Sequence, residues 1–160
     1  MSRMQLRDVL YCRVKNEKSV KPVRQHPVAR ERVTALREAL LRLHKALLES
    51  ERASYERVFG KIGSPYQFLQ LVTNDPWFAW LRPVTQLIVA MDGLLEAKEP
   101  FTAAEADALV GRVKALLIPT LDGKGFSKHY DEALQRDPDV VFAHAAAARL
   151  MRTKDVKPAS

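Results

Sequence analysis

The sequence is poor in the residues that most often announce chemistry. Cys12 is its only cysteine, so the chain closes no internal disulfide and assembles no cysteine-based zinc cluster, which needs several sulfurs. Histidine occurs four times, as His26, His44, His129 and His144, and no two are four apart, the helical spacing of zinc-protease ligands. The residues three before them are Val23, Leu41, Phe126 and Val141, so the Glu-x-x-His pairs of carboxylate-bridged di-iron bundles are missing. No metal or cofactor is expected. Glycine is scarce, and its densest string, Asp122-Gly123-Lys124-Gly125, lacks the upstream glycine of a phosphate loop and reads as a turn. Long apolar runs are also lacking: Leu87 to Met91 and Ala115 to Ile118 fall far short of the roughly 20 residues that cross a bilayer. Arg3, Arg7, Asp8 and Arg13 break up the N-terminal stretch, which therefore has no secretory pattern. No membrane partner is expected, and the cytoplasm is the expected location. Strand-like alternation is confined to Asp8 to Val14, which suits a helix equally well.

What is present is helical patterning. The 160 residues are 47% hydrophobic and 28% charged, the balance of one globular domain with a buried core. From Val33 the apolar positions Leu36, Leu40, Leu43 and Leu47 step by three and four, and the stripe continues through Tyr55, Val58 and Phe59. Pro27 gives this first helix a start and Gly60 a stop. Ser64, Pro65 and Gln67 then place a capping hydroxyl, a first-turn proline and a capping-box amide before a short helix to about Thr73. Asp75 and Pro76 repeat the signal. Trp77, Trp80, Leu81, Val84, Leu87, Ile88, Met91, Leu94 and Leu95 follow at helical spacing, which predicts a core helix bent near Pro83.

Thr102 and Glu105 form another capping box, opening a helix with Ala106, Leu109, Val110, Val113, Leu116 and Leu117 inward and Pro119 at its end. Residues 119–126 read as a loop. Ser127 is the expected cap of a short helix to about Arg136, and Asp137 with Pro138 begins a last helix made thin by alanines at 143 and 145–148. Tyr130, Ala133, Leu134 and Pro138 resemble the second helix of a tetratricopeptide repeat, but no second copy follows at the repeat period, so no array is expected. The expected fold is all-α: an antiparallel helical bundle of about four longer helices plus short ones. A basic, partly ordered segment, 1–26, is expected before the bundle, 27–152, with a flexible tail at 153–160.

Charge is unevenly spread. Arg3, Arg7, Arg13, Lys15, Lys18, Lys21 and Arg24 face only Asp8 and Glu17 in residues 1–24, which therefore hold +5 of the net +7. Such a segment reads as a solvated leader, or as an arm that suits an acidic protein surface or phosphate backbones, in the last case with Arg30, Arg32 and Arg37 extending it into the first helix. Nucleic acid is thus one possible partner.

Candidate site residues are few. Asp92 and Glu96, four apart on the core helix, share a face that suits acid/base work or a cation, or that forms the solvated edge of the helix. His44 flanks the leucine stripe and reads as a packed, hydrogen-bonded histidine. Trp77, Phe78 and Trp80 cannot all face one way: 77 and 80 share a face and 78 is rotated by about 100°, so at least one aromatic should leave the core stripe. That residue could line a pocket, anchor a partner or pack under the short helix before it.

The segment from Ser64 to Leu95, SPYQFLQLVTNDPWFAWLRPVTQLIVAMDGLL, resembles a block in uncharacterised bacterial helical proteins. The resemblance implies a helical fold and no activity. With no catalytic residue assigned, the expected function is non-enzymatic, a protein-interaction or regulatory module that binds a protein partner or itself. The alternatives are a nucleic-acid-associated protein using the basic arm and a bundle holding a small ligand.

Overall fold

A computed structural model describes residues 27–118 and 123–152. The expected basic segment, the Asp8 to Val14 stretch, Pro119 and the tail lie outside these residues. Six α-helices occur among those described: α1 (Pro27–Phe59), α2 (Pro65–Asn74), α3 (Arg82–Glu96), α4 (Ala103–Leu117), α5 (Phe126–Arg136) and α6 (Pro138–Arg152). A 3₁₀ helix, Pro76–Leu81, precedes α3, and no strand is present among the described residues. The chain is all-α.

α1 is the hub. Its 33 residues extend about 50 Å at 1.5 Å per residue, and α6, α3, α4, α5 and the 3₁₀ helix all pack on it. Val33, Leu36, Leu40, Leu43 and Leu47 are buried, as the stripe predicts. The thin alanine face of α6 forms the most extensive helix contact of the fold, against α1, with Ala147 fully buried. α1 and α3 run antiparallel. Arg30 donates to the Leu95 carbonyl at 2.9 Å, Arg37 bonds Asp92, and His44 Nε2 shares a hydrogen bond with Thr85 Oγ1 at 3.1 Å. Positions rise along one helix as they fall along the other.

Caps set most boundaries. Thr102 and Glu105 complete a reciprocal capping box at α4, with the Thr102 N–H donating to Glu105 Oε2 at 2.7 Å. That bond to the carboxylate holds the Glu105 pKa below its ordinary value. Ser64 Oγ accepts from the Gln67 N–H at 3.1 Å, but Gln67 Oε1 accepts from the Gly63 N–H at 2.8 Å. The amide therefore reaches one residue further back than an ordinary capping box.

Three expectations need correction. The core helix is two elements: Pro76–Leu81 is 3₁₀ and the α-helix begins at Arg82, so Pro83 lies in a first turn and bends nothing. An α-helix through this region would need an N–H on Pro83 to reach the Ala79 carbonyl, and proline has none. The Arg82 N–H takes that carbonyl instead, a tighter bond to the third residue back. Secondly, α5 begins at Phe126 behind Gly125, whose φ of +62° favours glycine, and Ser127 is not its cap. Phe126 is held in that first turn by Tyr130 and Trp80, at ring-centroid distances of 5.2 and 5.6 Å. Thirdly, Val58 and Phe59 leave the stripe and are each 63% exposed, because the last turn of α1 has no helix over that face of it.

Candidate functional site

The split at Pro83 decides where the aromatic residues point. A 3₁₀ helix has about three residues per turn, so positions three apart eclipse. Phe78 and Leu81 therefore line up with Val84 and enter the core, with Phe78 only 1% exposed. Trp77 and Trp80 share the neighbouring face and are half-buried. Sequence spacing correctly pairs the two tryptophans and separates Phe78 from them, but it assigns the tryptophans, not Phe78, to the core stripe; the structure exchanges them.

The tryptophan face forms one wall of a groove of about 490 Å³ between the end of α1, the 3₁₀ helix and α5. α1 contributes Glu51, Ser54, Arg57 and Val58, and α5 contributes His129, Glu132 and Arg136. Trp80 stacks on the His129 imidazole, with centroids 5.3 Å apart and planes inclined by 23°. Trp77 meets Tyr55 and Phe59 edge-on at 5.8 and 5.7 Å. Neither indole nitrogen is solvent-accessible, and neither has a hydrogen-bond partner among the described residues. A buried donor left unpaired is destabilising by about 1–3 kcal/mol, so two beside one groove is an unusual concentration.

Polar groups hold the α1 wall against α5. Arg136 donates to Glu51 Oε1 at 2.6 Å and to Ser50 Oγ at 3.0 Å, fixing the start of the α5–α6 connection to the third quarter of α1. The Glu51 side chain is 8% exposed and that of Arg136 31%, so the pair is buried on its acidic side. Ser54 donates to the Ser50 carbonyl at 3.1 Å and accepts from Arg57 at 2.9 Å. Glu56 accepts from the Ile62 N–H at 3.1 Å and from Arg52 at 3.3 Å, and the backbone bond chiefly holds its pKa below the ordinary value. A second depression of about 470 Å³ continues across Arg57 and Arg136 to Lys61.

Behind the groove, rings in contact lead from Trp80 through Phe126, inclined to it by 51°, to Tyr130, which stacks on Phe126 and whose hydroxyl shares a 2.7 Å hydrogen bond with His144 Nδ1. Burial raises the Tyr130 pKa and lowers that of His144, so both stay neutral at ordinary pH. His144 is the packed, hydrogen-bonded histidine its neighbours suggest.

The other sequence candidates do not converge on this groove. His44 is bonded to Thr85, and burial lowers its pKa. Asp92 is paired with Arg37 on the α1–α3 edge, and Glu96 is exposed at the end of α3. The two carboxylates therefore frame no cavity. Arg30, Arg32 and Arg37 are likewise engaged within the fold, with the Leu95 carbonyl, Asp107 and Asp92. The arm's own candidates, Arg3 through Arg24, lie outside the described residues. Among the described residues no cluster of three or more His, Cys, Asp or Glu side chains could hold a metal ion, and no helix is long and apolar enough to cross a membrane.

Sequence reasoning missed Glu51, Arg57, His129, Glu132 and Arg136. Glu51 and Arg136 meet across 85 positions, which no local spacing reveals. Only the exposed end of α1 had a local sign, since its stripe outlasts the length a small bundle can cover. No family model, curated protein or solved structure matches the chain.

Proposed function

We infer that this chain is a cytoplasmic, non-enzymatic interaction module: an antiparallel helical bundle whose groove beneath Trp77 and Trp80 docks a segment of a partner protein. The observation that carries the reading is the pairing of that groove with an uncovered apolar rim. Val58 and Phe59 stand exposed beside the tryptophans, and Tyr66 and Leu69 are exposed on α2, the helix that packs on the 3₁₀ segment. A free small ligand would fill the groove and leave this rim in water, whereas a protein segment would cover both. Tryptophan and tyrosine at such a site are the residues that most often dominate protein binding. Of the acid/base candidates, Asp92 is paired with Arg37 and Glu96 is exposed at the end of α3, both away from the groove, which favours binding over catalysis.

Trp77 and Trp80 are the only tryptophans of the chain, so intrinsic fluorescence reports on the groove alone. Peptides selected from a random displayed library against the full chain are expected to shift that emission saturably. The variant Val58→Ser/Phe59→Ser should bind them at least about tenfold more weakly while keeping its helical circular dichroism. A library that returns no peptide acting on the tryptophan emission would sink the reading.

A further inference from the structure

Resting on the reading above, the charge pattern around the groove narrows the partner. Four cations and four carboxylates stand along the two adjoining depressions and their walls: Arg52, Arg57, Lys61 and Arg136 against Glu51, Glu56, Glu132 and Asp137. They are not equally committed. Arg136 is bonded to Glu51 and Arg52 to Glu56, and Glu56 is further satisfied by the Ile62 N–H. Asp137 accepts from the Asp139 N–H at 2.9 Å, and Glu132 lies 3.7 Å from His129 on the α5 side. Arg57 bonds only the Ser54 hydroxyl, and neither Arg57 nor Lys61 forms an ion pair within the described fold. Arg57 lines both depressions, the first with Trp77 and Trp80 and the second with Lys61.

The geometry points to an acidic peptide motif as the occupant: an aromatic or long aliphatic side chain seated against Trp77 and Trp80, followed within a few residues by an Asp or Glu carboxylate received by Arg57, with Lys61 behind it. An arginine fork matches a carboxylate with two parallel N–H bonds, and a lysine ammonium adds a point charge without constraining geometry. Arg57 also sits in the last turn of α1, where a cation opposes the negative end of the helix dipole. That local role leaves its exposed donors available. A basic motif would instead set cation against cation at Arg57 and Lys61; Glu51 is already bonded to Arg136, and Glu132, 52% exposed on the α5 wall and without a hydrogen bond within the described fold, is the carboxylate of the groove left open to a cation.

The test is the composition of the peptides selected above, read for the unaltered chain and for Arg57→Glu. The residue is exposed, so the charge reversal is compatible with folding, and circular dichroism checks it. The expected result is enrichment of apolar residues flanked by Asp or Glu for the unaltered chain. Those peptides should bind Arg57→Gln roughly tenfold more weakly, about the value of one hydrogen bond to a charged group. Arg57→Glu should select Lys or Arg at the flanking position. Peptides that shift the tryptophan emission but show no acidic preference, or that bind Arg57→Gln unchanged, would overturn the inference and leave the docking groove standing. Enrichment of basic motifs by the unaltered chain would overturn it as well. A library yielding nothing would remove both.

Discussion

At the scale of single residues, the buried polar groups decide how the fold responds to its surroundings. His44 and His144 both have lowered pKa values because burial disfavours the imidazolium. Their unfolded counterparts take up a proton near the ordinary value of 6.5, so acid stabilises the unfolded chain first. The contribution of the neutral histidines is therefore complete above that pH and is lost as pH falls from it towards the lowered folded values. Urea unfolding is expected to show lower stability at about pH 5.5 than at about pH 8, and His44→Gln/His144→Gln should flatten that difference. The Glu51–Arg136 pair carries a different expectation. Removing Arg136 strands a buried carboxylate, whereas removing the charge of Glu51 leaves a guanidinium that is 31% exposed and can turn to water. Arg136→Ala should thus lower stability by about 2–3 kcal/mol, below the full range for buried pairs, and Glu51→Gln by about 1 kcal/mol. Equal losses in denaturant titrations would contradict this asymmetry.

At the scale of elements, caps and prolines set the boundaries, and these were legible because they act within a few residues. Thr102 with Glu105, Ser64 with Gln67, and Asp75 or Asp137 before proline mark helix starts that the structure reproduces. Thr102→Ala should lower stability by about 1 kcal/mol, measurable as a shift in the urea midpoint at unchanged slope. The 3₁₀ segment was not legible from period alone. Over six residues the apolar spacing does not by itself choose between periods of 3.0 and 3.6, which turn the aromatics to different faces, and only the missing N–H of Pro83 separates them. α6 tests the packing logic. Ala147 is fully buried on the face that meets α1, so Ala147→Leu should overpack that contact and lower stability by about 1–3 kcal/mol. A neutral or stabilising result would mean that the two helices have room between them.

At the scale of the whole molecule, charge serves different ends along α1. Its first half carries Arg30, Arg32 and Arg37, each engaged with α3 or α4 or the chain that ends them, so these cations fasten the bundle. Its last turns carry Arg57 and an exposed apolar end, where no helix covers them. Helical period places all of α1 correctly as a helix, but it reads the late apolar residues Val58 and Phe59 as part of the buried stripe. The groups that engage the early arginines of α1 lie 55 to 75 positions away, at Asp92, Leu95 and Asp107, and helical period contains no information at that range; nor does it say where along α1 the covering helices stop.

α2 has no fully buried residue; Phe68, Leu71 and Val72 are only half-covered while Tyr66 and Leu69 face outward. Little apolar area is lost when it lifts away, so its amides should trade hydrogen for deuterium well ahead of those in α1, through local opening. An acidic segment laid across the rim would slow that uptake in residues 65–74 while leaving the interior of α1 unchanged. The least anchored helix would then serve as a built-in gauge of occupancy.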